Sequence, residues 1–142
     1  MTSPLENLRT LGQLHAEPPD AKEFAALKRS GLARLADSEK RVNALESRFD
    51  LAYNAAHALC LAALRHAGYR STNRYMVFQA LPHTLGVRPE AWRVIARCHD
   101  VRNRGEYEGD FYADERLLAD LIPACKVVAA ALDQLPALTG DR

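Results

Sequence analysis

From Leu51 to Leu64 every residue is apolar except Asn54 and His57. Val42, Leu45, Phe49, Ala52, Ala56, Leu59 and Ala63 recur at alternating steps of three and four, which aligns them on one helix face. Between residues 51 and 64 the other faces are apolar too. A helix that is apolar nearly all round must be buried among other helices or in lipid. A membrane span needs about 20 apolar residues, and this run is shorter and carries two polar groups. The stretch therefore predicts the long central helix of a helical bundle, running from a cap at Asp37 or Ser38 to Gly68, a residue suited to a left-handed stop. Asp50, Asn54 and His57 stand four and three apart, so they form a polar stripe on that helix, and a polar stripe on a central helix needs partners.

The elements around it follow from caps and periodicity. Ser3-Pro4-Leu5-Glu6 is a capping box with proline at the first helical position. It starts a helix carrying Leu5, Leu8, Leu11 and Leu14 that ends before Pro18-Pro19. Asp20 with Glu23 starts a second, with Phe24, Leu27, Leu32 and Leu35 inward and Gly31 as a slight weakness. After a polar connection at Tyr69 to Asn73, a shorter helix covers residues 73–85, with Pro82 breaking its last turn. Pro89 opens the next helix, which buries Trp92, Ile95, Cys98 and Val101 and ends near Gly105 to Gly109. The last starts at Asp114 or a neighbour and buries Leu117, Leu118, Leu121, Cys125, Val128, Leu132 and Leu135, with a kink at Pro123. No stretch alternates with period two. The expectation is an all-α antiparallel bundle of five to six helices. It forms one domain over residues 1–142, with its core at about 22–135 and residues 1–19 as a helical extension.

Apolar residues make up 48% of the chain and charged residues 26%, which excludes a disordered protein. Cys60, Cys98 and Cys125 are odd in number, widely spaced and set in apolar helical patterns, as reduced core residues are. The first residues show no basic-then-apolar signal, so a cytoplasmic location is the default. No metal-ligand spacing and no phosphate-cradling glycine loop occurs, so neither a metal nor a cofactor is expected. The net charge of +1 gives no overall attraction to nucleic acid. Its distribution is uneven. Residues 65–104 hold eight arginines against two acids, and residues 105–120 hold six acids against one arginine. Arginine far outnumbers lysine. That suits bidentate phosphate recognition, and it is equally what a GC-rich genome encodes.

The segment His99-Asp100-Val101-Arg102-Asn103-Arg104-Gly105-Glu106-Tyr107 is the most unusual. His99, Arg102, Asn103 and Glu106 share one helix face, next to the apolar stripe of Ile95 and Cys98. Four polar groups at a core edge are costly unless they bond one another or a ligand. Asp50, Asn54 and His57 are the candidate partners. The structural alternative is that Arg102, Asn103 and Glu106 merely tie helices together, that His57 and Asn54 are satisfied core groups, and that Tyr53 and Trp92 are core aromatics.

This segment resembles the motif helix of the HEPN superfamily (higher eukaryotes and prokaryotes nucleotide-binding). Those small helical bundles mark that helix with Arg, usually Arg-Asn, then four to six residues, then His. Arg102-Asn103 match the start of the motif. The stretch from Phe49 to His57, continued by Leu64-Arg65-His66-Ala67-Gly68-Tyr69, is similar to the family's first long helix. The resemblance covers roughly residues 22–135. It implies a homodimer in which two motif helices form a cleft for RNA or a nucleotide. In many members it also implies a metal-independent ribonuclease, a toxin held in check by an antitoxin-type partner protein. In that chemistry a 2′-hydroxyl attacks the adjacent phosphate, helped by a base and by a cation on the developing charge. Arg102 would supply the cation. The sequence departs from the motif where its His belongs: Tyr107 stands five residues after Arg102, and no His follows His99. Tyrosine titrates near 10 and is a poor base at neutral pH. His99, one turn before Arg102, is the geometric substitute.

Three expectations follow. The first is a dimeric protein binding RNA or a nucleotide at a cleft of His99, Arg102, Asn103 and Tyr107, supported by Asn54, His57, Asp50 and Glu106. The second is an active endoribonuclease using Arg102 with Tyr107 or His99. The third is a protein-interaction module without a ligand, in which Arg102 pairs with Glu106 or Asp50.

Overall fold

A computed structural model describes residues 3–108 and 114–138, with the backbone alone for 106–108. The chain is an all-α bundle around one long helix. In order, the elements are α1 (Pro4–Thr10), β1 (His15–Ala16), α2 (Ala21–Ser38), α3 (Leu45–His66), β2 (Tyr69–Arg70), α4 (Arg74–Gln79), α5 (Leu81–Thr84), α6 (Pro89–Glu108) and α7 (Glu115–Asp133). Helix α3 is the centre: α2 and α7 pack along it, and α4, α5 and α6 also reach it. Six of its buried residues are alanines, Ala52, Ala55, Ala56, Ala58, Ala62 and Ala63, and small side chains let neighbouring helices come close. Gly31 of α2 has the same role. A Cβ there would lie 2.8 Å from Leu59 Cγ and Cδ2, so the glycine expected to weaken α2 is what lets it lie against α3.

The caps form where the sequence places them. Ser3 Oγ accepts from Glu6 N at 3.1 Å, Asp20 Oδ1 from Lys22 N at 2.8 Å, and Asp114 Oδ1 from Leu117 N at 2.6 Å. Gly68 ends the central helix region with φ +93°, open to glycine and strained for other residues. The last helix runs through Pro123 as one element.

Four local expectations are corrected. The central helix begins at Leu45, not at Ser38. Residues 39–44 form a turn in which Asn43 Nδ2 donates to Asp37 O at 3.2 Å and Arg48 Nε to Ser38 O at 2.7 Å. Val42 therefore lies off the helix stripe and is 90% exposed. The first helix stops at Thr10; Gly12, with φ +79°, turns the chain, and Leu11 is left exposed while Leu14 is buried. The 73–85 segment is two helices, so seven are formed among the described residues. Pro82 has no N–H for the Phe78 carbonyl four residues back; that carbonyl accepts instead from Trp92 Nε1 at 2.9 Å. Finally, β1 and β2 pair antiparallel, His15 opposite Arg70 and Ala16 opposite Tyr69.

Cys60, Cys98 and Cys125 are free and buried. Burial pushes the thiols of Cys60 and Cys98 up to about 12 and that of Cys125 higher still, which makes them poor nucleophiles. No helix among the described residues is long and apolar enough to cross a membrane.

Candidate functional site

Helix α6 carries the motif segment and lies with its His99 face toward α3 and α4. Pro89 opens it, and Ile95 and Cys98 anchor it in the core with no exposed surface. One turn further, the same face becomes polar. His99 is buried at 6% exposure. Its Nδ1 lies 2.9 Å from Tyr53 Oη and its Nε2 lies 3.2 Å from Asn103 Nδ2. With the Asn103 amide donating, Nε2 accepts and Nδ1–H donates to Tyr53. Burial pushes the His99 ring below the ordinary histidine range; Asp100 offsets part of this, and Arg74 and Arg102 add to it. The ring is thus held neutral and oriented, and it fixes the Asn103 side chain.

Tyr53 is the floor of the arrangement. It is 1% exposed, stacked against His99 with centroids 6.1 Å apart, and tilted against Phe78 at 5.7 Å. Two guanidiniums lie over its ring: Arg102 Cζ is 5.0 Å from the centroid and Arg74 Cζ is 5.6 Å. A cation over an aromatic face at these distances is attracted by the ring quadrupole. The polar stripe of α3 meets the same two arginines. Asp50 Oδ1 lies 3.6 Å from Arg102 Nε. Asn54 donates from Nδ2 to the Asp50 carbonyl at 2.9 Å and accepts at Oδ1 from Arg74 Nη1 at 3.3 Å.

These groups border an open cleft of about 460 Å³, walled by Thr72 to Tyr75 at the start of α4 and by His99, Arg102 and Asn103 of α6. The volume falls in the range of about 300–1,000 Å³ usual for small-molecule sites. A second concavity, of about 430 Å³, lies between the 39–44 turn and the start of α7. There Lys126 is tied to Glu39 at 2.9 Å and Arg48 to the Ser38 carbonyl at 2.7 Å.

Of the residues singled out in the sequence, His99, Arg102 and Asn103 line the cleft, and Asp50 and Asn54 meet its arginines from behind. His57 is displaced from it. The ring is half-buried, edge-on to Phe78 at 5.9 Å, and is pushed down to about 4 by burial, then by Arg74 and His99. The side chains of Glu106 and Tyr107 lie outside the described residues. Sequence reasoning missed Arg74 and Tyr75. They stand on a six-residue helix with no periodic signal, and only the fold brings them to α6. It also took Tyr53 as core alone, whereas its hydroxyl holds His99. Among the described residues, no group of three or more His, Cys, Asp or Glu side chains is placed to hold a metal ion.

No family model, curated protein or solved structure matches this chain.

Proposed function

We propose that the chain is an HEPN-like protein that binds RNA or a nucleotide at the α4–α6 cleft, acting as a homodimer. The observation that carries this is the convergence of Arg74, Arg102 and Asn103 on one open cleft. Two guanidiniums over one ring repel each other, and an anion between them relieves that repulsion. Phosphate takes charge-assisted hydrogen bonds from guanidinium well. Asn103, fixed by His99, adds a neutral group able to hydrogen-bond a sugar or base edge.

The endoribonuclease alternative is less well supported. His99 has both ring nitrogens engaged and is buried, so it is a poor proton acceptor for a substrate hydroxyl. It is better suited to positioning Asn103. The interaction-module alternative draws on Arg102 pairing with Glu106, whose side chain lies outside the described residues, or on the approach of Asp50 to Arg102. At 3.6 Å that approach is too long for a hydrogen bond, and the Asp50 side chain is 56% exposed, so the pair is weak.

Fluorescence anisotropy with a labelled single-stranded RNA tests the proposal. Arg102→Ala is expected to weaken binding by about tenfold and to lower the slope of log affinity against log salt by about 1. Unchanged affinity and slope would remove the cleft from consideration. In the same samples, with chelator present, the RNA is expected to stay intact. Cleavage by wild type but not by Arg102→Ala would transfer the assignment to a ribonuclease.

A further inference from the structure

The geometry points to an unpaired nucleotide as the cleft's ligand, with its base stacked on Tyr75 and its phosphate on Arg74 and Arg102. This inference rests on the binding proposal above and goes further, because it assigns the base-recognising residue and excludes a paired duplex as the ligand.

Tyr75 is one of four large hydrophobic residues left exposed among those described, at 51%. The other three are Leu11, Leu32 and Val42, and none of them lines the cleft. An exposed aromatic loses the benefit of burial, so one placed on the wall of a polar cleft is unusual for folding alone. The Tyr75 ring is not loose: it sits 6.2 Å from the His99 ring at an interplanar angle of 42°. His99 is itself fixed by Tyr53 and Asn103. One part of the Tyr75 ring is thus held while the rest stays open to a ligand.

The neighbouring charges complete the pattern. Arg74 adjoins Tyr75 in sequence and lines the same cleft, and Arg102 faces it from α6. Aromatic platforms beside arginines are how proteins hold single-stranded nucleic acid, the base on the ring and the phosphate on the cation. A base reaches such a ring only when it is unpaired and unstacked. Thr72 and Asn73, both exposed on the same wall, offer hydroxyl and amide groups to the sugar and the base edge. The shared chemistry is one base joined to one phosphate, from a free nucleotide or from a strand.

The test measures anisotropy of a labelled oligouridylate and of a base-free oligomer with the same phosphate backbone, with wild type, Tyr75→Ala, Tyr75→Phe and Arg102→Ala. Tyr75→Ala is expected to weaken oligouridylate binding roughly 5- to 100-fold, Tyr75→Phe to retain it within about twofold, and the base-free oligomer to bind wild type and Tyr75→Ala equally. Competition by uridine monophosphate would identify a free nucleotide as a sufficient ligand; binding of the oligomer without such competition would identify a strand. Wild-type affinity in Tyr75→Ala, together with a loss in Arg102→Ala, would overturn the stacking inference and leave the cleft proposal standing. Equal wild-type affinity for the same sequence as a duplex would also overturn it. No loss in either variant would overturn both. Tyr75 is exposed, so Tyr75→Ala is expected to keep its fold, which far-UV circular dichroism checks.

Discussion

Arg65 and Arg102 stand on two long helices and meet the rest of the chain in different ways. Arg65 is 1% exposed, and its donors are spent on fixed partners. Nε donates to Glu23 Oε1 at 2.7 Å, Nη1 to the carbonyls of Glu17 at 3.0 Å and Tyr69 at 3.2 Å, and Nη2 to the carbonyl of Pro18 at 2.7 Å. Arg70 completes the cluster with Glu17 at 3.0 and 3.1 Å and with Glu23. Together they clamp residues 17–18 and the β2 strand to the start of α2. Arg102 is a quarter exposed, lies over an aromatic ring, and approaches the Asp50 carboxylate at 3.6 Å. An arginine whose donors all meet fixed backbone and carboxylate partners belongs to the fold. An arginine at a cleft wall, over a ring and partly exposed, is within reach of a ligand.

The largest effect expected from this contrast is on stability at Arg65. Arg65→Met keeps most of the apolar stem but takes the guanidinium away from three carbonyls and leaves the Glu23 carboxylate with Arg70 alone. Removing one partner of such a buried cluster costs about 3 kcal/mol, read as a fall in Tm of roughly 6–12 °C for a chain of this size. Urea unfolding monitored by circular dichroism checks it. A loss below about 1 kcal/mol would show that the clamp is dispensable and would erase the distinction.

Acid sharpens the contrast, because the two clusters titrate in separate windows. His57 titrates at about 4 in the fold, against an ordinary 6.5, and His99 is also held low, chiefly by burial. Their unfolded forms therefore bind protons more readily than the folded ones. The stability they contribute is complete above about pH 6.5 and falls as the pH drops below it, for His57 toward its folded value of about 4. Glu17 is held below the usual carboxylate range by its hydrogen bonds to Arg70. Burial opposes the same shift in Glu23, but bonds to Arg70 and Arg65 outweigh it. Their contribution is lost only below about pH 4.5. The packing around His57 and His99 is thus expected to weaken first. Urea unfolding at pH 7 and pH 5 should show a fall on the order of 1 kcal/mol, allowing for solvent around a partly exposed ring, and His57→Gln should reduce that fall. The same pH dependence in His57→Gln as in wild type would contradict the assignment.

The long helices were legible because burial imposes a period of 3.6 over many residues. α2, α6, α7 and most of α3 follow their apolar stripes, and their caps at Asp20 and Asp114 are local chemistry. The start of α3 was not legible. Val42 continues the three-and-four spacing by coincidence, and what breaks the helix is a side chain bonding back six residues, Asn43 to Asp37. The β1–β2 pair is too short for alternation to show, and its register depends on a clamp joining residues distant in sequence. Within the candidate site, His99, Arg102 and Asn103 were legible because they share one helix face. Arg74 and Tyr75 were not, since what marks them is proximity to Tyr53 and His99 across the bundle. Their helix has only six residues, too few to show a polar face as a pattern.

The smallest stability effect is expected where the functional effect is largest. Among the interactions described for Arg102, Arg102→Ala removes a cation from over the Tyr53 ring and a long contact to Asp50, each worth about 1 kcal/mol or less at partly exposed positions. Unfolding of Arg102→Ala in urea should therefore stay within about 1 kcal/mol of wild type, against the larger loss at Arg65. The comparison breaks if Arg102→Ala destabilises as much as Arg65→Met. Arg102 would then be a second clamp between α3 and α6, and its effect on RNA affinity would follow from a disturbed cleft wall rather than from a missing phosphate contact. A group kept for a ligand should cost the fold little and the complex much. The ratio of those two losses in one variant separates binding from scaffolding more sharply than either measurement alone.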